Sequence, residues 1–591
     1  MIKFPQQNIW KQVNLGERFG DLWSSFNLDL TSKLGTLRVS PRFLLNISTT
    51  DDAQLGAPPC AFRAFVTTTP DIWAIANAHM WKTSTGGPND TFAQDATSGT
   101  PTNLNSDNSD MEVFASTLVV VGSNDIYLLA SAGTWSTLTN ALVSTSGYHG
   151  VTHFRATNKL YIVDDNAAGV TSLASDLSTV VLSTSLLNDL VEGAGINVGS
   201  EISCIDSNSS RIWIGTINKS ANFCRIYSWD GSQTSGPNES YLVNASGILS
   251  MKIVDDVPVV FDTLGRLLQL NGGTFTEIAR LPLEGQILTL SLTATTRAVH
   301  PNGMTLVDGR INILINTQLW DTNSTNKENV PSGVWEYTKE TGLYHKASVG
   351  LSKSGGTITD YGQQKLSLVG GIEQVEVLST GITQGSVNGK VLLGCEYYTN
   401  ATATLNGIFY DDTADTLQKY GYFVTRKIFS DNIEDAWNKV YLRIKKLLDS
   451  SDSIVIKYRI LDEAPLEGTI TWIDSSSFTT TMAISSFAIG DEVEILQGTG
   501  SGKCAHITVL QVADASSYIV ELDDTFTGVT TGTAKARFQA WKKFGSRTSQ
   551  NDSVFEFSSP TSGGWVQFKI CMQFKGKDEV YDFLIENVKH R

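Results

Sequence analysis

The segment Gln497-Gly-Thr-Gly-Ser-Gly-Lys-Cys504 comes nearest in this chain to a phosphate-binding loop. Such a loop needs a glycine, four residues, Gly-Lys and a hydroxyl residue opening a helix, so that backbone N–H groups cradle phosphates. Here glutamine stands at 497, cysteine at 504, and strand-forming residues follow, so the segment reads as a glycine-rich hairpin turn. His149 and His153 would share one face of a helix and could ligate a metal there. Gly150, Val151 and Thr152 between them favour extended chain, which removes that register. Asp321-Thr-Asn-Ser-Thr-Asn-Lys-Glu-Asn329 carries oxygen donors at calcium-loop density. It lacks the central glycine and the closing glutamate, so it reads as a solvated loop.

Two acidic pairs, Asp164-Asp165 and Asp255-Asp256, flank apolar runs. Facing carboxylates would suit glycoside hydrolysis. Adjacent residues on a strand do not face each other, and aspartate favours turns by bonding its own backbone. No Gly-x-Ser-x-Gly elbow and no convincing Cys/His pair is present. The sequence therefore nominates no catalytic, cofactor-binding or metal-ligating residue, and the chain reads as a non-enzyme without a cofactor. The six cysteines, Cys60, Cys204, Cys224, Cys395, Cys504 and Cys571, form no Cys-x-x-Cys pair and read as small buried hydrophobes.

Composition sets the class of body these residues sit in. The chain has 591 residues, 41% hydrophobic and 18% charged, enough for several cores. Gly, Ser, Thr and Asn abound while long Ala/Glu/Lys/Leu stretches are nearly absent, which favours strands and turns. The net charge of −16, with no dense Lys/Arg run, excludes counterion-release binding to a phosphate backbone. An acidic balance suits a solvated exterior or the wall of a channel that DNA crosses without sticking. The amino terminus has no apolar core of signal-peptide length, and no run of about 18 apolar residues occurs. The expectation is a protein made in a cytoplasm that does not span a membrane.

Six apolar runs repeat along the chain: Leu118 to Val121, Leu160 to Val163, Ile212 to Ile214, Val259 to Phe261, Ile311 to Leu314 and Lys365 to Val369. Their starts lie 42, 52, 47, 52 and 54 residues apart. A four-stranded propeller blade needs roughly 40 to 50 residues. With Phe62 to Val66 and Ile72 to Ile75 as a first blade, the pattern predicts six to seven blades over residues 56–415. Arg225 to Gly231 and Gly333 to Gly342 read as outer blade hairpins. Thr83 to Ser109 and Asp321 to Ser332 read as loops on a propeller face, and Ser183 to Gly193 as one short helix.

Residues 1–55 read as an extended arm carrying Trp10, Phe19, Trp23, Phe26, Leu28, Leu30, Leu37 and Val39. So much apolar surface cannot be covered by the arm itself, which marks these residues as an interface with the terminal region or a neighbouring subunit. Beyond the propeller, Lys439 to Lys445, Ile454 to Ile460 and Trp565 to Phe574 alternate apolar and polar residues. They read as a β-sandwich over 416–466 and 537–591, with Gln567, Lys569 and Gln573 on the outer face. Residues 467–536 read as a small β-barrel inserted in a sandwich hairpin, with Ile456 to Ile460 pairing Arg537 to Trp541 at its base.

An all-β chain with an amino-terminal strand arm, a β-propeller and a terminal sandwich carrying a barrel resembles the tail nozzle, or tail tubular, proteins of short-tailed bacteriophages. The resemblance covers nearly the whole chain, including Leu34-Gly-Thr-Leu-Arg-Val-Ser-Pro-Arg42 and Trp565-Val-Gln-Phe-Lys-Ile570. It implies a virion structural protein, a homohexameric ring below the portal and adaptor complex through which phage DNA is ejected without specific binding. It also implies tail fibres or spikes as neighbours. The alternatives are a receptor- or carbohydrate-binding propeller, with Trp213, Trp229 and Trp335 stacking on sugars, and a propeller hydrolase.

Overall fold

The computed structural model describes residues 2–4, 22–31, 37–40, 43–45, 55–67, 70–83, 92–105, 109–143, 148–165, 169–181, 200–218, 221–232, 237–282, 298–316, 331–349, 352–354, 357–359, 366–375, 390–398, 404–411, 420–429, 436–444, 453–460, 465–498, 500, 504–514, 517–526, 529, 531–547, 553–562, 565–573 and 580–588. Every named element among them is a β-strand. The expected helix at 183–193 and most of the 321–332 loop lie outside the described residues.

Seven four-stranded antiparallel sheets form a β-propeller. Their first strands are Ala61–Val66, Asp110–Phe114, Val151–Phe154, Ser200–Ser207, Ile248–Val254, Met304–Val307 and Leu366–Val375, and these pack against one another in a closed ring. Seven apolar cores lie between successive blades, the last joining blade seven to blade one. In the second strand of blade two, Leu118 and Val120 face blade one while Val119 and Val121 face blade three. A strand buried on both faces must be apolar at every position, which is why these runs stand out in the sequence without alternation.

The first five repeated runs are second strands of blades two to six. The sixth, Lys365 to Val369, falls instead on the first strand of blade seven, whose second strand is Lys390–Tyr398. The spacing slips because a hairpin that belongs to no blade, Ser352–Ser354 with Thr357–Thr359, lies between blades six and seven in the chain; blade seven also draws its fourth strand, Phe43–Leu45, from the arm, where it pairs with Thr404–Asp411. The segment 83–109 is not all loop: Phe92–Gln94 is the outer strand of blade one, and Leu104 is buried.

The arm also feeds the terminal region. Ile2–Phe4 pairs with Val580–Val588, and Leu22–Phe26 pairs with Tyr420–Thr425. One terminal sheet has the order Ile2–Phe4, Val580–Val588, Ala436–Ile444, Ser553–Ser562. The other runs Leu22–Phe26, Tyr420–Thr425, Trp565–Gln573, Ser453–Arg459, Lys542–Arg547. Val440 of the first sheet packs with Ile454, Ile456, Phe568 and Ile570 of the second, forming a sandwich core that Leu28, Leu30, Leu37 and Val39 complete.

Leu466–Trp472, Ser477–Thr480, Ser517–Leu522, Cys504–Asp514, Glu492–Gly498 and Gly532–Gln539 close into a barrel around Ile470, Val493, Ile507, Val520 and Phe538. At its base Ser453–Arg459 pairs with Lys542–Arg547, not with 537–541 as expected, because Arg537 and Phe538 belong to the last barrel strand.

Candidate functional site

The first strands of the blades carry charged side chains in apolar surroundings, and they meet on the propeller axis. Arg63 of blade one lies 3.1 Å from Glu112 of blade two and 3.4 Å from Glu373 of blade seven. Lys252 of blade five reaches the same Glu373 carboxylate at 3.5 Å. Blades five and seven are not neighbours, so this contact crosses the ring. Thr305 donates to Glu373 at 3.2 Å, and Asp206 accepts the N–H of Ile253 at 3.0 Å. Burial lowers the Lys252 ammonium, but Glu373 and Asp206 outweigh it and hold the group above its ordinary value.

One end of the axis is crossed by the segment His300–Asn302. Its Pro301 carbonyl accepts the Ser250 hydroxyl of blade five at 2.6 Å, and the Asn302 carbonyl accepts the N–H of Ile372 of blade seven. The Asn302 amide donates to Asp110 of blade two at 2.9 Å, and its oxygen accepts the Tyr148 hydroxyl at 2.9 Å. Asp110 also accepts the N–H of Val151 in blade three at 3.0 Å. Burial pushes its carboxyl up to about 6, against the pull of Arg63. Charges already paired with one another, under a crossing segment, form a bolt through the propeller. Each axial cation is held by a carboxylate, and the carboxylates take backbone or side-chain donors, an arrangement suited to rigidity.

Two further polar knots join the propeller, arm and barrel. In the first, arm residue Asp29 takes Arg38 at 2.8 and 2.6 Å, and Thr31 donates to Glu336 of blade six at 2.9 Å. Glu336 also binds Tyr344 and Lys346, both at 2.6 Å. In the second, the outer face expected for the sandwich strand Trp565–Gln573 is covered. Lys569 and Gln567 are buried: Glu492 of the barrel reaches Lys569, while Gln567 accepts from Arg459 and donates to the Thr425 carbonyl. Lys457 and Lys569 are direct cross-strand partners, and Glu492 of the barrel reaches both, at 3.0 and 3.4 Å. Burial would raise the Glu492 carboxyl; the two ammonium groups outweigh it and hold it well below the usual range. Like charges side by side in a dry layer are tolerated only with the anion between them.

The residues singled out by type and spacing take other duties. Gly498 and Gly500 have φ of +88° and +87° between barrel strands, and the strand Cys504–Asp514 follows where a phosphate loop needs a helix. His149 is buried with Nδ1 2.8 Å from the Val163 carbonyl, while His153 packs edge-on against Phe114. Among the described residues no group of three or more His, Cys, Asp or Glu side chains could hold a metal ion. Asp255 and Asp256 form a two-residue turn with φ of 49° and 66°, and Asp256 accepts Ser209 from the preceding blade at 2.9 and 2.8 Å. Asp164 is buried and takes the Val143 N–H and the Thr171 hydroxyl. Trp213, Trp229 and Trp335 are buried between blades, so they present no face to a sugar.

Of the arm residues, Phe26, Leu28, Leu30, Leu37 and Val39 are covered by the chain's own sandwich and blade six. Trp10, Phe19 and the Trp23 side chain lie outside the described residues. The axial residues carried a signal that spacing rules passed over: Arg63, Lys252 and Glu373 are each a lone charge within an apolar first strand, and Glu112 shares its strand with one other charge, Asp110.

No protein-family model and no curated protein matches the chain. Among solved structures it is similar to a streptogramin B lyase at 11% identity, covering 63% of this chain and 98% of that one with a TM-score of 0.37. It is similar to YCF48 from Cyanidioschyzon merolae at 10% identity, covering 63% and 98% with a TM-score of 0.37. The Cps50 (Swd1) β-propeller domain of Myceliophteria thermophila matches at 8% identity, covering 60% and 97% with a TM-score of 0.34. At such identities the likeness stops at the fold.

Proposed function

We propose that this chain is a structural subunit of a short-tailed phage tail nozzle, assembled as a homohexameric ring below the portal and adaptor complex. Tail fibres or spikes are its neighbours, and DNA leaves through the ring's channel without specific binding. The observation that carries this reading is the threading of one arm through both sandwich sheets and the propeller. It adds an edge strand to each sandwich sheet and the closing strand to blade seven. Such welding suits a load-bearing wall. The axial charges are paired across the propeller, so its own axis offers no conduit, and a DNA channel would have to run between copies. A net charge of −16 suits a channel wall that repels the phosphate backbone.

The sugar-binding alternative loses its named residues with the burial of Trp213, Trp229 and Trp335. Electron microscopy of the purified protein tests the proposal. A six-fold ring with an axial hole is expected; separate single-chain particles at high concentration overturn it.

A further inference from the structure

We propose that Asn271, at the outer hairpin of blade five, is a modification site: its side-chain amide is converted spontaneously to aspartate and isoaspartate, while the fold protects the other described asparagines that precede glycine. The sequence has four Asn-Gly steps, Asn271-Gly272, Asn302-Gly303, Asn388-Gly389 and Asn406-Gly407. A following glycine leaves the backbone nitrogen open to approach, because no Cβ shields it and its dihedrals turn freely. Asn388-Gly389 lies outside the described residues. The other three steps stand in different surroundings.

Asn271 ends the third strand of blade five, Arg266–Asn271, and pairs with Thr274 at the head of the fourth, Thr274–Arg280. Gly272 and Gly273 make the two-residue turn between them, with φ of 57° and 89°. All three residues are exposed, and a Cβ added at either glycine would meet no atom within 4 Å. Among the described residues neither the Asn271 side chain nor the Gly272 N–H has a hydrogen-bond partner. Such a tip opens locally at little cost. Asn302 is tied instead: its amide donates to Asp110 at 2.9 Å and to the Cys60 carbonyl at 3.3 Å, its oxygen accepts Tyr148, and the Gly303 N–H donates to the His300 carbonyl at 2.7 Å. Asn406 and Gly407 lie within the strand Thr404–Asp411, held extended opposite Glu396 and Cys395.

At the hairpin the Gly272 nitrogen attacks the side-chain carbonyl carbon of Asn271. A C–N bond forms there, the bond to the side-chain nitrogen breaks, and ammonia leaves with the Gly272 proton. Water then opens the cyclic imide at either carbonyl, giving aspartate or isoaspartate. The net change consumes one water and releases one ammonia. Each event adds a negative charge, and isoaspartate inserts a methylene into the main chain beside the Asn271–Thr274 pair that ends the ladder.

The test incubates the full-length chain in mildly alkaline buffer, folded and separately unfolded in urea, and follows each asparagine by peptide mapping with mass spectrometry. In the folded chain Asn271 should convert severalfold ahead of Asn302 and Asn406, and Asn271→Gln should abolish conversion at that position, because the longer side chain closes its ring far more slowly. In urea the three asparagines should convert at similar rates, which assigns the protection of the other two to the fold. Equal conversion of all three in the folded chain, or an Asn271 that stays intact when folded while it converts in urea, overturns the proposal.

Discussion

Asn27 donates its backbone N–H to Nδ1 of His345 at 3.0 Å, while its side-chain oxygen accepts the N–H of Ser348 at 2.6 Å. Asn27 adopts a left-handed φ of 54°, and its carbonyl takes the N–H of Ser40. His345 is buried, stacked on Phe26 of the arm at 5.1 Å and edge-on to Trp335 of blade six at 5.5 Å. One imidazole thus joins the arm to the propeller, and its tautomer is fixed: Nδ1 accepts, and Nε2 donates to the Ser332 carbonyl at 3.1 Å.

Burial lowers His345 from 6.5 to about 3, and the Ser332 carbonyl offsets only part of that. Between those values the unfolded chain holds a proton that the native chain does not. The histidine's contribution is therefore complete above pH 6.5 and is lost as pH falls toward 3. His345→Phe should remove this slope and cost about 1–3 kcal/mol at neutral pH, because the Asn27 N–H is left without its acceptor. Urea midpoints across pH check it; an unchanged slope refutes the assignment.

Glu492→Gln should cost about 3–5 kcal/mol, since it leaves Lys457 and Lys569 buried beside each other without an anion. Glu521→Gln, on the exposed side of the barrel, should stay within about 0.5 kcal/mol. Because Glu492 titrates below its ordinary value, its contribution is present above the usual carboxylate range and is lost as pH falls through it. Equal thermal midpoints for the two variants would contradict the role given to this cluster.

Asp110 has the opposite sign. Its carboxyl is raised from 3.8 to about 6, so its contribution is present below 3.8 and is lost as pH rises through 6. Asp110 and His345 therefore oppose each other over much of the same range. Asp110→Asn should steepen the gain in stability from mild acid to neutrality, and His345→Phe should flatten it. Denaturation curves for the two variants at matched pH decide this.

Gly394→Ala should loosen the seam where blade seven meets blade one. A Cβ there would lie 2.1 Å from the Pro59 carbonyl oxygen, a backbone atom that cannot swing aside. A cost of about 1–3 kcal/mol is expected. Amide hydrogen exchange should rise first at residues 60–62 and 391–395; a rise confined to the barrel would count against this closure.

The propeller was legible because second strands such as Leu118 to Val121 are packed on both faces and must be apolar throughout. Turn chemistry was less legible. Ala115-Ser116 closes a two-residue hairpin with φ of 49° and 59°, a conformation that sequence rules reserve for asparagine, aspartate and glycine. The sandwich strand Trp565–Gln573 showed its alternation plainly, yet Lys569 is buried rather than solvated. Period-2 patterning reports two different faces and cannot tell which layer later covers the polar one.

Composition and local pattern alone thus determined an all-β chain with a blade repeat, a leading arm and a second kind of strand near the end. Those properties depend on near neighbours along the chain and on the two-sided burial of single strands. Only the tertiary structure decided that Phe43–Leu45 closes blade seven, that Lys252 meets Glu373 across the axis, and that Glu492 stands between Lys457 and Lys569. These partners are distant in sequence, and each charge is tolerable only once the fold has brought its counter-charge within reach.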